Sequence, residues 1–122
     1  MWSDRYNYLN IQCDENFCQK LDKSVVAQCL LETEFFKQTN HQSFTNTDKF
    51  PWVDIVLVET YNGNYSSSAN VNQFVTLVAI VCSKGQNIDQ QIYIDTFKQI
   101  ANKLNWKLYL EEDDYGNENI EL

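Results

Sequence analysis

Four cysteines, Cys13, Cys18, Cys29 and Cys82, are the side chains of this sequence best suited to chemistry, because a thiolate binds zinc and attacks carbonyl carbon. Structural zinc sites draw their ligands from closely spaced pairs, whereas the gaps here hold four, ten and fifty-two residues. Cys29 falls on an apolar helical stripe, and Cys13 and Cys82 lie in apolar strand-like runs. Buried, reduced thiols acting as small hydrophobes are therefore expected, with Cys18, in a polar stretch, the accessible one. His41 is the only imidazole and sits in a polar segment beside no Ser or Cys motif, which makes it a surface residue rather than a general base. Glu32 and Glu34 are two apart, so on a helix they face different ways and cannot act as an acid and base pair. With glycine only at 63, 85 and 116, no loop can cradle a phosphate. Asp54 and Glu59 interrupt an apolar strand and should face solvent on an open sheet face or at a strand end. No catalytic, cofactor-binding or metal-ligating residue is expected, and the chain does not read as an enzyme.

Aromatic residues carry the next signal. Trp52 and Trp106 begin strands and are expected to cover the ends of a core. Trp2, Tyr6, Tyr8, Tyr61, Tyr65, Tyr109 and Tyr115 stand instead in polar surroundings. Rigid rings supply contact area at small entropic cost, and carboxylates supply steering, so this mixture suits a protein-binding surface. The charge is uneven: 17 Asp and Glu against 9 Lys and Arg give −8. Six of the acids, Glu111, Glu112, Asp113, Asp114, Glu118 and Glu121, fall after residue 110 with no base among them. Such a tail reads either as a solvated, frayed terminus or as a docking surface for a basic partner; Tyr115, Ile120 and Leu122 are apolar anchors interleaved with its acids.

These residues must be positioned by a short series of elements. Leu9, Ile11 and Cys13 share a face of a first strand over residues 5–13. Val25, Val26, Cys29, Leu30, Thr33 and Phe36 recur at helical spacing from Asp22, a suitable N-cap, to about Lys37. The polar segment 38–50 reads as a loop. Residues 52–59 after Pro51 and residues 74–82 are apolar on both faces, as in central strands, and Asn62-Gly63 between them favours a hairpin, so the two should be antiparallel neighbours. Tyr93, Phe97, Ile100, Ala101 and Leu104 line one side of a helix over 89–104, stopped by Asn105. Trp106, Leu108 and Leu110 then face inward on a last strand, with Lys107, Tyr109 and Glu111 outward. The order βαββαβ is the ferredoxin-like pattern: an α+β fold whose antiparallel sheet carries both helices on one face.

At 122 residues, 43% of them hydrophobic, the chain is expected to form one domain over 1–122, with 111–122 an acidic tail. No apolar run is long enough to cross a bilayer, and the start lacks the basic-then-apolar order of a secretion signal, so a cytoplasmic location is expected. The acidic balance disfavours DNA, RNA and membrane surfaces as partners.

The tandem apolar runs Pro51 to Glu59 and Phe74 to Cys82, followed by Ile100-Ala101-Asn102-Lys103-Leu104-Asn105-Trp106-Lys107-Leu108, resemble bacterial immunity proteins of polymorphic toxin and contact-dependent growth inhibition systems. The resemblance covers residues 51–111 and implies a stoichiometric inhibitor of a cognate toxin domain, commonly a nuclease. It carries no catalytic residues over. From charge and aromaticity, Glu111, Glu112, Asp113, Asp114 and Tyr115 are the expected partner-binding groups, with Tyr61 and Tyr65 secondary. The alternative is a ferredoxin-like small-molecule-binding or regulatory module.

Overall fold

The computed structural model describes residues 6–13, 20–59, 74–83, 90–112 and 118–122. Its elements run β1 (Tyr6–Gln12), β2 (Leu21–Asp22), α1 (Lys23–Leu31), β3 (Phe36–Asn40), β4 (Ser43–Asn46), β5 (Val53–Val58), β6 (Phe74–Val75), β7 (Leu77–Ser83), α2 (Gln90–Leu104), β8 (Lys107–Glu112) and β9 (Glu118–Glu121). The fold is α+β. Its main sheet has seven strands in the order β3-β4-β5-β7-β1-β8-β9, and every neighbouring pair is antiparallel. β2 and β6 form a separate two-stranded ladder.

The sheet is richer in strands than the four-stranded ferredoxin-like arrangement expected from the sequence. The four anticipated strands stand side by side as β5-β7-β1-β8, while β3 and β4 extend one edge and β9 the other. The segment 38–50, expected to be a loop, contains most of that β3–β4 hairpin. Its polar side chains do bond to backbone, as when the Asn46 amide donates to Thr47 O at 2.9 Å and Phe50 O at 3.1 Å. They pin the strand ends rather than replace the ladder. Phe44 holds the hairpin to the core, only 1% exposed and opposite Ile55.

Helix α1 starts as expected, with the Asp22 carboxylate accepting from Ser24 N at 3.0 Å. It ends at Leu31, six residues short of Lys37. Thr33 donates its hydroxyl to Leu30 O at 2.8 Å, and Glu34 takes a left-handed φ of 64°, which turns the chain so that Phe36 enters β3. Glu32 and Glu34 are thus not helical neighbours at all: one caps the helix and the other pairs with Lys49 at 3.5 Å. Helix α2 buries the anticipated stripe of Tyr93, Phe97, Ile100, Ala101 and Leu104, and Asn105 stops it at φ 59°.

Alternation sends every second strand residue to the helices. Leu9, Ile11, Val53, Ile55, Leu57, Val78, Ile80, Cys82 and Leu108 meet Val26, Cys29 and Leu30 of α1 and the α2 stripe in one hydrophobic core. Phe36, Phe50, Phe97 and Tyr93 form an aromatic cluster within it, with ring centroids 5.2 to 6.2 Å apart. The acidic tail is not wholly a frayed end: β9 pairs with β8, Leu122 N donates to Leu108 O at 2.8 Å, and the Leu122 side chain packs on the core.

Candidate interaction surface

The face of the sheet turned from the helices is the second product of the same alternation. Read across the strands, Asp54, Val81 and Tyr8 are opposite one another, and Val56, Ala79, Asn10 and Tyr109 form the next row. Beyond Asp54, at the strand ends, Tyr6 lies opposite Ser83. Burial grades along this face. Val58, Leu77, Gln12 and Tyr109 are buried, Tyr8, Val56, Ala79 and Val81 are half-buried, and Tyr6 and Trp52 are 39% and 41% exposed.

Tyr6 and Trp52 form a pair, with ring centroids 5.5 Å apart and planes tilted by 48°. Trp52 was expected to cover the core; it has the parity of exposed Asp54 and so lies on the opposite face. Tyr109, expected outward, does face away from the helices but is only 7% exposed. Trp106 does close the core, 4% exposed, with its indole Nε1 buried and unpartnered among the described residues.

The pair is held from beneath. The Tyr93 hydroxyl donates to Trp52 O at 2.8 Å, fixing the backbone at the entrance to β5. Beside Tyr6, the Asn7 amide donates to Gln90 Oε1 at 2.7 Å, and Gln90 Nε2 donates to Ser83 O at 2.8 Å. The start of α2 therefore clamps together the end of β1 that presents Tyr6 and the neighbouring end of β7. Burial pushes the Tyr93 hydroxyl above its ordinary pKa of 10.0, so it stays protonated as a donor.

Of the partner-binding residues expected from sequence, Glu111 lies on this face: continuing the β1–β8 register from Leu9 and Leu110 brings it level with Tyr8. Glu112 is the last residue of β8, opposite Glu118, with the opposite parity. Asp113, Asp114, Tyr115, Tyr61 and Tyr65 lie outside the described residues, as do Asn62 and Gly63, where a hairpin turn was expected. The structure joins Trp52 and Asp54, whose shared even parity was their signal in the sequence, to Tyr6 and Tyr8, which their polar surroundings had already marked. Glu121 sits at the far edge, opposite Tyr109, its carboxylate 3.4 Å from Lys107 Nζ.

Cys29 and Cys82 are free and buried, as expected. Burial raises both thiol pKa values, that of Cys82 to about 12, and a protonated thiol is a poor nucleophile. For Cys29, Lys103 opposes this rise and Glu32 adds to it. Cys13 departs from the expectation of a reduced thiol: it is disulfide-bonded. Cys18 lies outside the described residues. His41 is exposed in the turn between β3 and β4, and among the described residues no three His, Cys, Asp or Glu converge as metal ligands. No described helix is long and apolar enough to cross a membrane.

Compared with known proteins, the chain matches no family model, no curated protein and no solved structure.

Proposed function

We propose that this chain is a binding protein without catalytic activity, an immunity protein that neutralises a cognate toxin domain by occupying its functional surface. The observation that carries the reading is the exposed Tyr6–Trp52 pair on the sheet face away from the core, flanked by the carboxylates of Asp54 and Glu111. Paired aromatic rings on a rigid, pre-ordered face are what binding hot spots are made of, since they bury area with few rotamers to freeze. A net charge of −8 directs the face toward a basic partner. Nuclease domains fit that description because their clefts hold phosphates. In architecture, the central β5-β7-β1-β8 strands with α1 and α2 are read as a ferredoxin-like unit enlarged at both edges.

The test is capture of the toxin domain encoded beside this chain, followed by growth rescue in cells expressing that toxin. Trp52→Ala is expected to lower affinity at least tenfold, mainly through faster dissociation, and Asp54→Asn with Glu111→Gln to slow association with a flatter salt dependence. A complex indifferent to both changes would move the interface off this face. Failure to bind or silence the toxin would end the reading.

A further inference from the structure

The cysteines divide into two classes with different chemistry. Cys13 follows directly on β1, is half-buried against the core, and is disulfide-bonded. Cys29 and Cys82 are free, 7% and 1% exposed, and hold their protons through burial. Thiol–disulfide exchange requires attack by a thiolate with access to the bond. Neither free thiol offers one, so the bond at Cys13 is protected from reshuffling by the two other described cysteines.

We infer that Cys13 takes part in a permanent structural disulfide and that the chain matures in an oxidising compartment. Disulfides persist in such compartments and are rare or transient in a reducing cytoplasm. This runs against the cytoplasmic location expected from the sequence, and it stands whether or not the partner is a toxin. The reaction is an ordinary exchange. One cysteine thiolate attacks a disulfide oxidant of the compartment and releases one reduced thiol of it. The second cysteine thiolate then displaces the other half of the oxidant from the mixed disulfide. Two protein thiols are oxidised, one oxidant disulfide becomes two thiols, and the two protons go to those products.

The experiment starts from cells of the natural source, quenched in acid and alkylated under denaturing conditions before and after reduction. Without reduction, Cys29 and Cys82 are expected to be labelled and Cys13 to be protected. After reduction all four label. Incubation of the native protein with glutathione at cytoplasmic concentration is expected to leave the bond intact. In thermal melts, Cys13→Ser is expected to lower the midpoint by roughly 6 to 10 °C and to abolish the effect of added reductant, as loss of a structural disulfide would. Labelling of Cys13 in the quenched cells, or ready reduction by glutathione, would overturn the inference. A Cys13→Ser variant as stable as the oxidised parent would also overturn the structural role of the bond.

Discussion

The C-terminal acids offer the sharpest test of the fold, because a solvated tail and a packed edge strand differ in a measurable way. Ile120 and Leu122 are half-buried; Ile120 lies opposite Leu110, and Leu122 packs on the core beside Leu108. Truncating a fully buried Ile or Leu to Ala costs about 2 to 5 kcal/mol, so at half burial each should cost about 1 to 2.5 kcal/mol. The double variant Ile120→Ala, Leu122→Ala should then lose about 2 to 5 kcal/mol, with the backbone and its charges unchanged. Glu121→Ala is the control: it breaks an ion pair whose side chains are 52% and 58% exposed, which is worth less than about 0.5 kcal/mol. Urea unfolding followed by tryptophan fluorescence gives both values, and a shift in midpoint at constant slope would mark a change in stability alone. A loss below about 0.5 kcal/mol for the double variant would show that β9 does not pack as described.

Two further outcomes follow from the geometry. The Cys82 thiol has an ordinary pKa of 9.0 that burial lifts to about 12 in the folded chain, so between these values the unfolded state has released a proton that the folded state keeps. Stability due to this group is therefore full below about pH 9 and is lost as pH rises toward 12, at up to about 1.4 kcal/mol per pH unit; Cys82→Ala should flatten that alkaline slope in a pH series of urea melts, and an unchanged slope would refute the assignment. Glu34, at φ 64°, should tolerate Glu34→Gly with a gain of about 0.5 to 1 kcal/mol, because the residue is exposed, its ion pair with Lys49 is weak, and glycine takes the left-handed region without strain; a loss of stability in the same urea assay would contradict it.

Where periodicity is long and unbroken, sequence and structure agree. The α2 stripe, the Asn105 stop and the pairing of β5 with β7 all rest on patterns that local physics enforces by itself. The end of α1 was not readable in the same way. Thr33 and Phe36 continue the helical spacing, and only the turn made by the Thr33 hydroxyl and the left-handed Glu34 breaks it. The β3–β4 hairpin escaped because Lys37, Gln38, Thr39 and Asn40 form an edge strand with almost no apolar face, so alternation has nothing to mark. Its single clue was Phe44, isolated among polar residues. The sheet face with Tyr6 and Trp52 was half legible: parity placed Tyr6 outward, but a tryptophan at a strand entrance looks the same in sequence whether it covers a core or faces away from it.

The placement of the acids decides what they can do. Asp54 on β5 and Glu111 on β8 are three strand spacings apart, about 14 Å across the sheet. That exceeds the Debye length of about 8 Å at physiological salt. Each carboxylate therefore acts there as a separate local charge, and the two reinforce one another only in dilute buffer. Their contribution to a complex belongs to encounter and orientation, and it should fade with ionic strength. The rings lie within the same sheet face, anchored through Tyr93 to the core, and their burial by a partner does not depend on salt. Residence time should thus be set at Trp52 and Tyr6 and association rate at Asp54 and Glu111, so substitutions in the two sets should combine nearly additively. Strong coupling between Trp52→Ala and Glu111→Gln would mean that ring and acid contact one group of the partner together.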